Sequence, residues 1–178
     1  MDITLDGLKN RFKELGYNWY DFQLIGIRSK NYKPNTFTDK LILVNGTQVT
    51  VYNATTRPGR HWLLNLLNPK GTAVLKPGQY VNTWRLGIHK NYKALVQVLP
   101  VEVYRDKNRN ELAEISDVID RGIFGINIHR ANQAYTSTFV DKWSAGCQVV
   151  ADPIDFSRLL KACEDSGKGV FTYTLLNE

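Results

Sequence analysis

LILVNGTQVTVYNATT, residues 41–56, consists of two β-branched runs on either side of Asn45-Gly46. Val, Ile and Thr pack well on a pleated surface. Asn-Gly readily fills the two positive-φ positions of a type I′ turn. The stretch therefore predicts a β-hairpin. Further strand-like runs surround it: DFQLIGIR at 21–28, then Thr72–Leu75, Gln79–Ile88, Ala94–Tyr104 and the alternating Val170–Leu176. Pro100 interrupts the 94–104 run and marks an edge or a bulge, because proline has no N–H to give a ladder.

Helical periodicity lies near the two ends of the chain. Over 4–15, Leu5, Leu8, Phe12 and Leu15 share one face, with Thr4 as N-cap and Gly16 after the end. Over 153–165, Asp152 caps, Pro153 opens the first turn, and Phe156, Leu159, Leu160 and Cys163 share a face. A further helix is expected within 111–120, while Trp62–Leu67 is an apolar run of undecided type. Many strands with a helix near each end argue an α+β fold. It would be a mainly antiparallel β-sandwich or barrel with flanking helices, forming a single domain over residues 1–178.

Composition narrows the function classes. The chain is 43% hydrophobic and 22% charged, with a formal charge of +6. Its Lys and Arg are spread along the sequence, which describes a solvated surface rather than a nucleic-acid stripe. An anionic polymer such as a bacterial wall suits the balance, and no nucleic-acid partner is expected. No run reaches the roughly 18 apolar residues of a membrane span. MDITLDGLKNRF at the start lacks the apolar segment of a signal peptide. Two cysteines, Cys147 and Cys163, make no disulfide framework, and both are expected as free thiols.

The chemistry concentrates in FGINIHRANQAYTSTFVDKWSAGCQV, residues 124–149. Phe124, Ile126 and Ile128 alternate as a strand that ends in His129, and a second apolar run begins at Val149 after Cys147. A histidine and a cysteine thus each stand where a loop meets a strand. The thiolate is the nucleophilic form of cysteine, and a neighbouring imidazole can take its proton and hold it as an ion pair. Gly146 permits a tight turn before the nucleophile, and N–H groups around Gly146 and Cys147 could face an oxyanion. The competing account is a packed cysteine and a surface histidine.

This stretch resembles the catalytic domain of the L,D-transpeptidases, in which a His is followed, after a comparable spacer, by Ser/Thr-His-Gly-Cys. Here 14 residues, Arg130 to Trp143, separate His129 from Ser144-Ala145-Gly146-Cys147. The resemblance implies Cys147 as nucleophile, His129 as base, Ser144 and Gly146 as shapers of the loop, and a β-sandwich core. Two positions depart from the pattern. Ala145 stands where the family has its second histidine, and Gln148-Val149 stand where it usually carries an arginine for a substrate carboxylate. Arg130 is the substitute cation expected, with Tyr135, Trp143 and Gln148 as further substrate contacts. The SAGCQV form is similar to phage-encoded, peptidoglycan-directed relatives.

The expected activity is cleavage of stem-peptide amides in peptidoglycan through a thioacyl intermediate, by a monomer needing no cofactor or metal. It would act at the wall after export or release. Cross-linking by L,D-transpeptidation, glycan cleavage by a carboxylate acid, and non-enzymatic wall or virion binding are the alternatives. His61 and His89 read as surface loop residues, and with His129 they form no zinc spacing. The D-x-N-x-N rhythm at 106–110 reads as a polar turn.

Overall fold

The structure is a computed structural model describing residues 1–178. Its first helix, α1 (Leu5–Glu14), starts where the Thr4 hydroxyl accepts from the Gly7 N–H, and it buries Leu8 and Phe12. Gly16, at φ +68°, supplies the left-handed residue after its end. Next come β1 (Phe22–Arg28), β2 (Asp39–Asn45), β3 (Gln48–Thr55) and the short α2 (Arg60–Leu64). They are followed by β4 (Thr72–Leu75), β5 (Gly78–His89), β6 (Tyr92–Gln97), β7 (Val101–Asp106) and β8 (Ile119–Gly122). The chain ends with β9 (Ile128–Arg130), β10 (Gln148–Val150), α3 (Pro153–Asp165) and β11 (Phe171–Asn177).

Eight strands close into a barrel in the order β1-β11-β5-β6-β9-β10-β3-β2, and β4-β7-β8 form a separate sheet. Of the two architectures left open by the sequence, the closed barrel is the one formed, and closure removes the exposed edges. Only β1–β11 and β9–β10 run parallel. Leu24, Leu43, Leu95, Ile128, Val150 and Tyr173 share one buried core with Leu75 and Val103 of the second sheet and with Phe156, Leu159 and Cys163 of α3. Burial of this kind is the main favourable term in folding. A smaller cluster joins Leu8 and Phe12 of α1 to Ile25, Ile27, Ile42 and Val44. Asp152 caps α3 by accepting from the Ile154 and Asp155 N–H groups.

Four local expectations are corrected. The hairpin register pairs Asn45 with Gln48, so Gly46 and Thr47 are the turn residues. Gly46 has φ +61° while Asn45 and Thr47 stay out of the left-handed region, so no type I′ turn forms. The 94–104 run is two strands: β6 of the barrel ends at Gln97, and β7 of the second sheet begins at Val101, just after Pro100. No helix forms over 111–120. There the main chain bonds to side chains instead: Asp106 accepts from the Asn108 and Glu114 N–H groups, and Asn110 accepts from that of Leu112.

The strand expected from Phe124 begins only at Ile128, which leaves His129 in the middle of β9. Gln97 Oε1 accepts from both the Phe124 and Ile126 N–H groups, and the Trp84 indole donates to the Ile126 carbonyl. Side chains thus occupy the groups a strand would have paired.

Candidate cysteine–histidine site

The parallel pairing of β9 with β10 sets Ile128 against Gln148 and His129 against Val149. Ile128 belongs to the barrel core, and Gln148 Oε1 accepts from the Tyr173 hydroxyl at 2.8 Å. Side chains alternate along a strand. His129 and Val149 therefore take the opposite face, and Cys147 falls on that face beside Asn127. The nucleophile and base candidates project from one side of adjacent strands. The Cys147 thiol donates to the Gly125 carbonyl at 3.3 Å. No hydrogen bond joins the thiol to His129.

Local bonds fix the loop before the cysteine. Ser144 is fully buried; its hydroxyl donates to the Cys147 carbonyl at 2.8 Å and accepts from the Gly146 N–H at 3.2 Å. The Gln148 side-chain amide donates to the Gly146 carbonyl at 3.1 Å. Ser144 and Gln148 thus fix the main chain around Gly146. The Gly146 N–H, however, is spent on Ser144, so the Cys147 N–H is the donor left for an oxyanion. Gly146 has φ +128°, and a Cβ there would lie 2.7 Å from the Ala73 carbonyl oxygen. Neither main chain can yield cheaply. Gly146→Ala is therefore expected to cost about 2–4 kcal/mol in a urea unfolding titration. A loss below about 0.5 kcal/mol would show that the loop is not held as described.

The His129 ring is buried, and its Nδ1 lies 2.7 Å from the Arg130 carbonyl oxygen and 3.1 Å from the Tyr92 hydroxyl. A carbonyl only accepts, so Nδ1 carries the proton and Nε2 keeps its lone pair for the thiol. Burial, with His89 as the next influence, holds the imidazole down at about 3. Burial pushes the Cys147 thiol up to about 11, against the Asn127 N–H and Lys90. The expected thiolate–imidazolium pair is thus not the resting state, because burial disfavours both charges. The pair rests neutral.

Cys147 opens onto a cleft of about 260 Å³ walled by Trp62, Leu67, Ala73, Phe124 and Arg105. Arg105 was missed in the sequence, yet it continues the inward alternation of Val101 and Val103 along β7, a signal hidden by the polar residues after it. Its guanidinium lies 4.5 Å from the Phe124 ring and pairs with Asp120 at 3.1 Å.

Four predicted contacts are placed elsewhere. Arg130 stacks on Tyr92 at 4.0 Å, reaches toward Gln133 and does not wall the cleft. Tyr135 is 65% exposed, on a loop turned to solvent. Trp143 lines a neighbouring hollow with Arg60 and His61. Gln148 is buried and braces the loop from inside the barrel rather than meeting a ligand. His89, read as a surface residue, stacks on His129 with ring centroids 4.1 Å apart and planes 14° from parallel. Only the register of the β5–β6 hairpin reveals that contact.

Both cysteines are free thiols, and Cys163 is sealed in the core, where burial pushes it up to about 12. No family model, curated protein or solved structure matches this chain.

Proposed function

We propose that the protein is a cysteine enzyme that cleaves stem-peptide amides of bacterial peptidoglycan, related to the L,D-transpeptidases. The observation that carries this reading is the shared face of β9 and β10. It presents Cys147 at the mouth of a cleft, with His129 fixed as the tautomer whose Nε2 can accept a proton. Proton transfer requires the thiol to leave the Gly125 carbonyl for that nitrogen, in keeping with catalytic bonds that form only once substrate is bound.

His129 takes the thiol proton as the sulfur attacks the amide carbonyl carbon. Creating both charges together is easier than forming either alone, since each then has its counter-ion. The Cys147 N–H faces the developing oxyanion. Collapse breaks the C–N bond, and His129 returns the proton to the leaving amine. Water, activated by the same imidazole, then attacks the thioester; an acceptor amine in its place would give a cross-link. The substrate lies outside the cytoplasm and is reached by export or release.

Incubation with purified sacculi followed by mass spectrometry of the products tests this directly. New peptide termini, with glycan strands intact, are the expected result. Products cut only between sugars, or no change in the sacculi, would overturn the proposal, and new cross-links would replace hydrolysis by transpeptidation.

A further inference from the structure

The β5–β6 hairpin pairs His89 with Tyr92 across the two-residue turn Lys90-Asn91, and Lys90 takes the left-handed conformation at φ +57°. This tip reaches over β9. The His89 ring lies face to face with His129, while the Tyr92 hydroxyl meets His129 at its edge. The orientation of His89 is determined through Asn127. Asn127 Oδ1 accepts from the Gln97 N–H at 3.0 Å, which turns its Nδ2 toward His89 Nδ1, also at 3.0 Å. An amide nitrogen only donates, so His89 Nδ1 accepts and the proton sits on Nε2. The two stacked rings therefore hold opposite tautomers, that of His129 set by the Arg130 carbonyl and that of His89 by the Asn127 side-chain amide.

We infer that His89 is a positioning residue for His129, a neutral ring face that fixes the plane of the base and accommodates its charge while it holds the thiol proton. This rests on the cysteine–histidine reading above. A protonated His89 would set N–H against N–H at Asn127 and a cation against the cation of His129. Asn127 thus keeps the supporting ring neutral when the base ring charges. A neutral π face beside a cation is favourable. The charged and titratable groups around His89 are Lys90 and Tyr92 on the hairpin, His129 and Arg130 on β9, and Cys147 beyond them.

The test combines ring NMR with sacculus digestion. Two-bond ¹H–¹⁵N spectra of the imidazoles, recorded from pH 2.5 to 8, are expected to show the neutral rings of His129 as the Nδ1–H form and of His89 as the Nε2–H form. His89→Phe keeps a flat face and should retain at least half of the release rate, with the His129 spectrum unchanged. His89→Ala and His89→Gln remove the face. They should cut release about tenfold and raise the His129 midpoint by at least one pH unit, since the buried ring gains solvent. Two folded variants guard against loss of structure in one.

Unchanged ring spectra and unchanged release in both Ala and Gln variants would overturn the inference. A His89→Phe variant as weak as His89→Ala would overturn the ring-face explanation. Should the native protein release nothing from sacculi, the proposed function fails, and the ring spectra alone decide whether His89 positions His129.

Discussion

Cys147→Ala is expected to lower release of peptide products from sacculi by at least about a thousandfold, because the substitution removes the atom that forms the acyl-enzyme. The fold should tolerate it. Cys147 is half-buried, and its thiol makes one weak bond, to the Gly125 carbonyl. A stability loss within about 1 kcal/mol is anticipated. Adding His129→Ala to Cys147→Ala should cost almost nothing further, since residues acting as one unit are strongly non-additive. The remaining thiol serves as an internal control: Cys163 is sealed in the core, so iodoacetamide should label Cys147 first. Labelling should be slow near neutral pH, because the Cys147 thiol is pushed up to about 11. Activity above about a tenth of native in Cys147→Ala would remove the cysteine from the chemistry.

The regular elements were legible because each carries a local signal. Thr4 and Asp152 cap their helices as their types predict, and β1, β4, β5 and β11 follow apolar runs. What escaped the sequence depends on distant partners. Gln97 and Trp84 claim the main chain of 124–126 from another part of the barrel, and no pattern within that segment announces it. The site divides in the same way. Cys147, His129, Ser144 and Gly146 sit in one contiguous stretch, so they were expected together, Ser144 from the family resemblance alone. Arg105, Trp62 and His89 are brought to them by the second sheet, by α2 and by the β5–β6 hairpin. Gln148 misled because polarity beside a cysteine suggests contact with a ligand, whereas strand parity turns it into the barrel.

Asp39→Ala is expected to cost about 3–5 kcal/mol, because it strips the counter-charge from arginines that remain buried. Asp39 is 1% exposed, at the start of β2. One carboxylate oxygen accepts from the Ser29 N–H and from the Arg57 guanidinium, the other from the Thr56 N–H at 2.8 Å and the Thr56 hydroxyl at 2.7 Å. Arg57 is held further by the Ser29 carbonyl and lies 4.2 Å from the Tyr32 ring. Arg28 donates to the carbonyls of Thr56 and Leu75, and its guanidinium is pushed down to about 10, by burial first and then by Arg57, while Asp39 opposes both. Removing Asp39 leaves two neighbouring cations with only neutral acceptors, main-chain carbonyls and the Thr56 hydroxyl.

The consequence reaches the cleft. Arg57 leads through Pro58 to Gly59, whose N–H donates to the Ser144 carbonyl at 2.8 Å, so the network anchors the chain that supports the nucleophile loop. Arg57→Met in the Asp39→Ala background should recover part of the loss, because a desolvated charge leaves with it. Urea titrations of the two single variants and the double variant measure the coupling. If Asp39→Ala cost less than about 1 kcal/mol, the carboxylate would be dispensable and the arginines would have to be neutralised from elsewhere.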